Sequence, residues 1–222
     1  MAEYKSEEAS VYGKLSIISM KGTEAIAARI DEYLKRFRDF EDDESYLLHV
    51  NCPRFGSGEG KCVITDSVRG HDVYILCDVF NHSVTYKMYG YENHMSPDDH
   101  FQDLKRIIQA MSGKAHRINV IMPILYGGRQ HRRNYRESLD CACALQELEA
   151  MGVSNIVTFD AHDPRVQNAV PLMGFDNVMP TYQVLKCLLR DIEDIDLSKD
   201  KFMVVSPDEG AMARNIYYSS VL

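Results

Sequence analysis

The sequence predicts an α/β fold in which a parallel sheet is flanked by helices. Apolar segments of strand length alternate along the chain with amphipathic segments of helix length, and the connections between them are short. Residues 72–79 lack the polar alternation of a half-exposed strand, as expected where both faces of a sheet are covered. This alternation favours a parallel sheet because each crossover between parallel strands accommodates a helix.

Four amphipathic helices are predicted in chain order. The first begins after the capping residue Thr23 and carries an apolar stripe at helical spacing, formed by Ile26, Ile30, Tyr33, Leu34 and Phe37. The second begins at Ser96, followed by a proline and two acidic residues that favour a helix N-terminus, and its stripe is Phe101, Leu104, Ile107, Ile108 and Met111. The third helix ends at Gly152, and the fourth covers residues 181–190.

Strands are predicted between these helices, at residues 46–50, 62–66, 72–79, 118–122, 156–160 and 202–206. The acidic segment 39–44 lies between the first helix and the first of these strands. Runs of like charge are usually solvated, so this segment is predicted to be a linker and not a metal site.

Composition limits the classes of function. A chain of 222 residues with 45% hydrophobic residues can bury a substantial core. The net charge of −8 argues against a general nucleic-acid binder, which needs a broad positive face. The six cysteines lack the paired spacing of a zinc site and are interpreted as small buried hydrophobic residues. No secretory signal or membrane span is recognised, so a cytoplasmic location is expected.

Residues 127–138 form a basic loop within this acidic chain. The segment contains four arginines and a histidine, and it directly follows the predicted strand 118–122. A guanidinium presents a fork of donors that matches phosphate oxygens, and loops at the carboxyl ends of strands bind ligands in α/β sheets. The loop therefore predicts a site for a small phosphate-bearing ligand; the alternative is a solvated basic turn.

Two further loops follow predicted strands and offer oxygen or imidazole ligands. Asp160 stands at the end of the predicted strand 156–160 with His162 just after it, and Asp208 follows the strand 202–206. Magnesium needs only one or two protein ligands when water and substrate phosphates complete its shell, so these residues suit a metal–nucleotide site. The alternatives are a structural hydrogen-bonding role for the histidine and an ordinary turn at Ser206-Pro207-Asp208.

The glycine-rich segment 55–61 is not a phosphate loop of the Walker type. Only three residues separate Gly56 from Gly60, and Lys61 precedes Cys62 instead of serine or threonine. The segment is interpreted as a flexible hairpin connection.

Read together and in order, these segments resemble the ribose-phosphate pyrophosphokinase family, also called phosphoribosyl pyrophosphate synthetases. The segments that carry the resemblance are Phe55-Gly-Ser-Gly-Glu59, residues 67–75 (Ser-Val-Arg-Gly-His-Asp-Val-Tyr-Ile), Gly128-Arg129-Gln130, Arg136-Glu137-Ser138, Asp160-Ala161-His162 and residues 206–210 (Ser-Pro-Asp-Glu-Gly). Their shared order is more specific than any single segment. The chain departs from the family pattern at His131, where the family has an acidic residue, and at Ala213, where it has lysine.

The resemblance implies transfer of diphosphate from Mg-ATP to ribose 5-phosphate, which yields phosphoribosyl pyrophosphate and AMP. It implies that Arg129 and Gln130 contact ATP and that Phe55, Ser57 and Glu59 grip the adenine. The latter three residues would come from a neighbouring subunit of a homo-oligomer. It further implies that His162 and Asp208 bind Mg²⁺ with Asp160 close by, so Arg129 and His162 are the candidate catalytic residues. No nucleic acid or membrane partner is expected.

The resemblance also predicts the domain organisation. Residues 1–45 are expected to be an N-terminal extension with one amphipathic helix, residues 46–192 a phosphoribosyltransferase-like domain, and residues 193–222 the beginning of a second similar domain. The family's ribose 5-phosphate loop and flexible catalytic loop are expected beyond Leu222. We therefore expect residues 1–222 alone to turn over poorly or not at all.

Other functions remain possible at this point. The first is a non-catalytic relative that binds nucleotide or assembles with active subunits. A phosphoribosyltransferase shares the fold but requires an acidic pair before a Thr-Gly turn, which the sequence lacks.

Overall fold

A six-stranded parallel sheet forms the centre of the first unit, Met1–Val178, of the computed structural model. The structure describes residues 13–37, 44–192, 194–198 and 200–222. Across the sheet the strands are β10 (Gly174–Val178), β9 (Asn155–Phe159), β8 (Arg117–Ile121), β5 (His71–Leu76), β1 (Lys14–Ser19) and β2 (Leu47–Leu48). All neighbouring strands run parallel, so the predicted fold class is confirmed.

The strand β1 lies inside the sheet, between β5 and β2, although the sequence analysis identified no strand there. Ser16 occupies a buried position of this strand, and its hydroxyl is 2.8 Å from Nδ1 of His71. Polar residues interrupt the apolar run of β1, so the sequence did not indicate a strand there. Because β1 and the helix after it belong to the first unit, the structure differs from the predicted extension at residues 1–45.

The helix α1 (Glu24–Phe37) buries a different face from the predicted apolar stripe. Ala27 and Asp31 are its buried residues, whereas Ile26 is 53% exposed and Tyr33 and Phe37 are largely exposed as well. The Asp31 carboxylate accepts hydrogen bonds from the backbone N–H of Tyr46 and the hydroxyl of Ser45. These hydrogen bonds of Asp31 therefore fix α1 to the segment that follows it. The predicted linker 39–44 lies outside the described residues except for Glu44, which is exposed and pairs with Lys14.

The helix α2 (Pro97–Met111) begins as predicted. The Ser96 hydroxyl accepts a hydrogen bond from the Asp99 backbone N–H, and the Asp99 carboxylate accepts one from the Ser96 N–H. All five residues of the predicted stripe are buried against the sheet. The core of the domain therefore lies between α2 and the central strands.

Two antiparallel hairpins lie outside the main sheet. One joins β3 (Val50–Asn51) to β4 (Val63–Ile64), and the other joins β6 (Thr85–Met88) to β7 (Tyr91–His94). The predicted strand 46–50 is thus divided between β2 and β3. The glycine-rich segment forms the tip of the first hairpin, with φ of +92° at Gly58, as predicted for a hairpin connection.

The helix α3 (Asp140–Ala150) follows the basic loop and ends before Gly152, as predicted. Cys141 and Cys77 are buried, which confirms the interpretation of those two cysteines. Cys143 and Cys187 are exposed, so the interpretation was wrong for them. Residues two apart on a helix face different directions, which is why Cys141 points inward and Cys143 outward.

The second unit, Met179–Leu222, contains the helices α4 (Thr181–Asp191) and α5 (Met212–Val221). Residues 202–206 take an irregular conformation, so the strand predicted there is wrong. A strand needs a neighbour to pair with, and the described part of this unit holds none. The two units divide at Val178, which differs from the predicted boundary near residue 192. In the described parts of the chain, no helix is long and apolar enough to cross a membrane.

Candidate functional site

The carboxyl ends of β8 and β9 bring two of the predicted loops together. These strands are adjacent and parallel, so the basic loop and the segment 160–163 leave the sheet at the same edge. The imidazole rings of His131 and His162 lie 5.1 Å apart, and Nε2 of His131 is 3.6 Å from the Asp163 carboxylate. Side chains of the two loops are therefore in direct contact.

The basic loop is shaped by two consecutive turns. The backbone N–H of Gly128 donates to the carbonyl of Leu125 at 3.1 Å, and that of Gln130 donates to Gly127 at 2.7 Å. Gly127 has φ of +65°, and a Cβ there would lie 3.0 Å from the backbone nitrogen of Cys141. A side chain at this position would force the loop away from the start of α3.

Arg129 and Gln130 emerge from these turns with exposed side chains. Within the described residues, the guanidinium of Arg129 has no ion-pair partner. An unpaired guanidinium at the carboxyl edge of a parallel sheet is free to bind an anionic ligand. The position of Arg129 and Gln130 therefore fits the predicted contact with phosphate.

Tyr126 fixes the start of the basic loop on α2. Its hydroxyl donates to a carboxylate oxygen of Asp98 at 2.7 Å, and its ring stacks on Phe101 with centroids 4.2 Å apart. Burial, followed by the hydrogen bond to Asp98 and nearby negative charge, raises the pKa of Tyr126 to about 12. The loop is thus anchored by a neutral phenol.

The raised pKa of Tyr126 predicts that its phenol ionises at a higher pH than an ordinary tyrosine. The stabilisation that the folded protein gains from neutral Tyr126 is complete below its ordinary pKa of 10.0 and is lost as the pH rises through about 12. Spectrophotometric titration of the wild type minus Tyr126→Phe should give a phenolate difference centred near pH 12. A difference centred near the ordinary pKa of a tyrosine would contradict the anchoring role.

The segment after β9 turns sharply at Asp160. This residue has φ of +45°, and its backbone N–H donates to the carbonyl of Val178 at 3.0 Å. The adjacent Ala161 N–H donates to the side-chain oxygen of Asn177 at 2.9 Å. Strand β10 therefore holds the turn that presents the exposed His162.

Asp163 supplies a negatively charged carboxylate at the carboxyl edge of the sheet. Its carboxylate caps the short 3₁₀ helix Pro164–Ala169 by accepting from the Arg165 backbone N–H at 2.9 Å. Hydrogen bonds from the Arg165 side chain and backbone hold the pKa of Asp163 well below its usual range. The sequence placed Asp163 in the ligand-bearing loop 160–163 but did not indicate its capping role, although aspartate followed by proline is a recognisable helix start.

His131 is the second residue whose position only the structure revealed. Its Nδ1 atom is buried and lacks a hydrogen-bond partner among the described residues. This imidazole lies beside His162 and Asp163, at the position where the sequence departs from the family pattern. It places a titratable group between the basic loop and the segment after β9.

Phe55, Ser57 and Glu59 come together at the tip of the hairpin between β3 and β4. The Ser57 hydroxyl donates to the Glu59 carboxylate at 2.8 Å, and the ring of Phe55 is 58% exposed. The tip contacts the second hairpin through a hydrogen bond from the Tyr89 N–H to the Gly56 carbonyl. An aromatic ring and a carboxylate are thus presented outward.

Asp208 lies in the second unit. Its side chain caps the short 3₁₀ helix Glu209–Ala211 by accepting from the Ala211 N–H at 2.9 Å, and Asp208 is exposed. In the described residues, no three His, Cys, Asp or Glu side chains are grouped closely enough to hold a metal ion by themselves. Asp160 and His162 fit Mg²⁺ only where substrate oxygens and water complete the shell.

The sheet topology and the loops at its carboxyl edge define the class of this protein as an α/β fold of the phosphoribosyltransferase type. Residues 15–152 match the family model described as the N-terminal domain of ribose phosphate pyrophosphokinase. The chain therefore belongs to that family. The match begins at residue 15, so it includes most of the segment that the sequence analysis set apart as an extension.

Curated relatives support this family membership. The chain is 26% identical over 202 residues to a ribose-phosphate pyrophosphokinase of Staphylococcus saprophyticus, covering 90% of this chain and 54% of the relative. It is 28% identical over 163 residues to the enzyme of that name from Corynebacterium ammoniagenes, covering 72% and 45% respectively. The chain thus spans about half the length of these relatives.

Among solved structures, the fold is similar to phosphoribosylpyrophosphate synthetase from Mycobacterium smegmatis, with a TM-score of 0.70. The match covers 94% of this chain and 61% of that chain at 18% sequence identity. At this identity the likeness concerns the fold.

Proposed function

We propose that this chain forms the ATP-binding part of a ribose-phosphate diphosphokinase. The reaction would transfer the diphosphate of Mg-ATP to the 1-hydroxyl of ribose 5-phosphate and release AMP. The observation that carries the proposal is the unpaired Arg129, within the residues that match the family and two positions before His131, whose ring lies 5.1 Å from that of His162 in the adjacent strand-end loop. The chain spans about half the length of the relatives that carry this name, so the whole enzyme's activity is a proposal for it.

The chemistry requires positioning and charge neutralisation. The sugar hydroxyl oxygen forms a bond to the β-phosphorus of ATP, the bond from that phosphorus to the α-phosphate bridging oxygen breaks, and the hydroxyl proton is released. Arg129 would hold phosphate oxygens with its guanidinium fork, and Gln130 would add an amide donor. No protein nucleophile is needed, because in-line positioning supplies much of the rate enhancement.

Magnesium, when bound, would neutralise charge on the phosphate oxygens. Asp160 and His162 would be its protein ligands at this edge of the sheet. Asp208 is proposed as a Mg²⁺ ligand from the family resemblance alone. Phe55, Ser57 and Glu59 would grip the adenine bound by a neighbouring subunit of a homo-oligomer. The exposure of Phe55 supports this role, because an aromatic ring at a hairpin tip has a face available for stacking.

The decisive test is the response of Mg-ATP binding to Arg129→Ala. A hydrogen bond to a charged group contributes about 1.5–3 kcal/mol, so calorimetry should show roughly 10- to 100-fold weaker binding. The matched control is Arg69→Ala, which removes an exposed arginine that precedes β5 at the opposite end of the strands. Unchanged affinity in Arg129→Ala would rule out the proposed phosphate contact.

A measurement of phosphoribosyl pyrophosphate formation separates catalysis from binding. If the protein is a non-catalytic relative, ATP binding should depend on Arg129 while phosphoribosyl pyrophosphate fails to form. This measurement uses the natural protein at its full length.

A further inference from the structure

Two cysteines face each other at the base of the hairpin that carries Phe55, Ser57 and Glu59. The register pairs Val50 with Ile64 and Asn51 with Val63, and an isolated bridge pairs Arg54 with Gly60. Both pairings continue in one antiparallel ladder, so Cys52 lies directly opposite Cys62.

This cross-strand pair is a non-hydrogen-bonded pair. In the adjacent pair the Lys61 N–H donates to the Pro53 carbonyl at 2.9 Å, and three positions away on the other side the Thr65 N–H donates to the His49 carbonyl at 3.2 Å. Antiparallel ladders alternate, which leaves Cys52 and Cys62 at a position where Cα atoms approach to about 4.5 Å. That separation lies within the range that a disulfide spans, about 4.4–6.8 Å.

The two thiols also point to the same side of the hairpin. Burial alternates along both strands, and Cys52 and Cys62 are half-buried and pack against the hydrophobic core. A hydrogen bond between the thiols lowers the pKa of Cys52 and raises the pKa of Cys62. A thiolate on Cys52 would therefore be stabilised by a hydrogen bond from the Cys62 thiol beside it.

Cys52 is accessible to a small molecule. It lines a cavity of about 270 Å³ next to β1 and α2, together with Lys21, His49 and His100. Burial and Asp103 act to raise the pKa of Cys52 and Arg54 and Lys21 act to lower it, whereas burial raises the pKa of Cys77 and Cys141. The pair thus combines proximity with access through Cys52.

We propose that Cys52 and Cys62 form a reversible dithiol–disulfide pair that exchanges with small-molecule disulfides. The Cys52 thiolate attacks one sulfur of the small disulfide, which breaks and releases one thiolate. Cys62 then loses its proton and attacks the Cys52 sulfur of the mixed disulfide, which releases the second small thiol. Two protein thiols are oxidised to one disulfide, and one small disulfide is reduced to two thiols.

The bridge would lock the base of the hairpin whose tip presents Phe55 and Glu59. A crosslink at residues 52 and 62 fixes the register of the short ladder and removes conformations in which the tip moves apart from it. Its effect on nucleotide binding rests on the proposed function; formation of the bridge does not.

The test is incubation of the reduced protein with oxidised glutathione, followed by intact-mass and peptide mass spectrometry. We expect the wild type to lose two hydrogen atoms and to give one peptide pair joined through Cys52 and Cys62. Dithiothreitol should reverse the change. Absence of that joined pair, or separate glutathione adducts on both cysteines without a bridge, would overturn the proposal.

Single variants identify the partners of the bridge. Cys62→Ser should retain a glutathione adduct on Cys52 instead of losing two hydrogens, because no second thiol resolves it. The matched controls Cys143→Ser and Cys187→Ser remove exposed cysteines and should form the bridge as the wild type does. The peptide map of the wild type remains decisive if a variant fails to fold. Loss of the bridge in either control would contradict the assignment.

Discussion

Replacing Asp103 with alanine is expected to lower the free energy of unfolding by about 3–5 kcal/mol. Asp103 is 4% exposed on α2, and its carboxylate accepts two hydrogen bonds at 2.8 Å from the guanidinium fork of Arg54. Arg106 donates a further hydrogen bond to it at 2.7 Å. The variant would leave the Arg54 charge, whose side chain is 8% exposed, buried without its counter-ion.

Urea denaturation of the variant and the wild type measures this effect. Lys105→Ala on the same helix is the matched control, because the partner Glu147 is partly exposed and such pairs contribute about 0–1 kcal/mol. The double variant Arg54→Met with Asp103→Leu should recover much of the loss, since it removes the charges together. Equal unfolding midpoints for Asp103→Ala and the wild type would show that the ion pair does not stabilise the fold.

Asp72→Ala is expected to be the next most destabilising change, by about 2–3 kcal/mol, because it leaves buried donors unsatisfied. The Asp72 carboxylate on β5 accepts a guanidinium fork from Arg117 at 2.7 and 2.8 Å. It also accepts from the side-chain amide of the buried Asn119 at 2.8 Å. The hydrogen bonds with Asp72 raise the pKa of Arg117 above its usual value.

Asp72→Asn separates charge from shape at this position. Asparagine keeps one oxygen acceptor, so this variant should lose less stability than Asp72→Ala in the same denaturation experiment. The control is Lys14→Ala, which breaks an exposed ion pair with Glu44 and should change stability by less than about 1 kcal/mol. If Asp72→Ala unfolds like the Lys14 control, the buried fork is not a stabilising contact.

Local signals predicted the helices α1 to α4 and much of the central sheet, but not α5. Ser96 and the proline after it marked the start of α2, and the stripe from Phe101 to Met111 marked its buried face. The continuous apolar run at residues 73–77 predicted a strand covered on both faces, which β5 confirms. These features depend on neighbours in sequence, so they can be read without the fold.

Local sequence signals did not predict other features of the fold correctly. Strand β1 contains a buried serine that a histidine from the neighbouring strand satisfies, and α1 is anchored by Asp31 through contacts with residues that follow the helix. Ser16 and Asp31 are polar and therefore resemble surface residues in the sequence, although both are buried in the structure. The strand predicted at residues 202–206 had the right composition and no partner strand in the described part of its unit.

For the candidate site, the sequence alone determined the chemistry of each loop: an arginine-rich segment after one strand, and aspartate and histidine after another. Only the tertiary structure decided that these strands are neighbours, that His131 lies against His162, and that Cys52 faces Cys62. The physical reason is that residue types fix what a side chain can bind, whereas strand order and register fix which side chains meet.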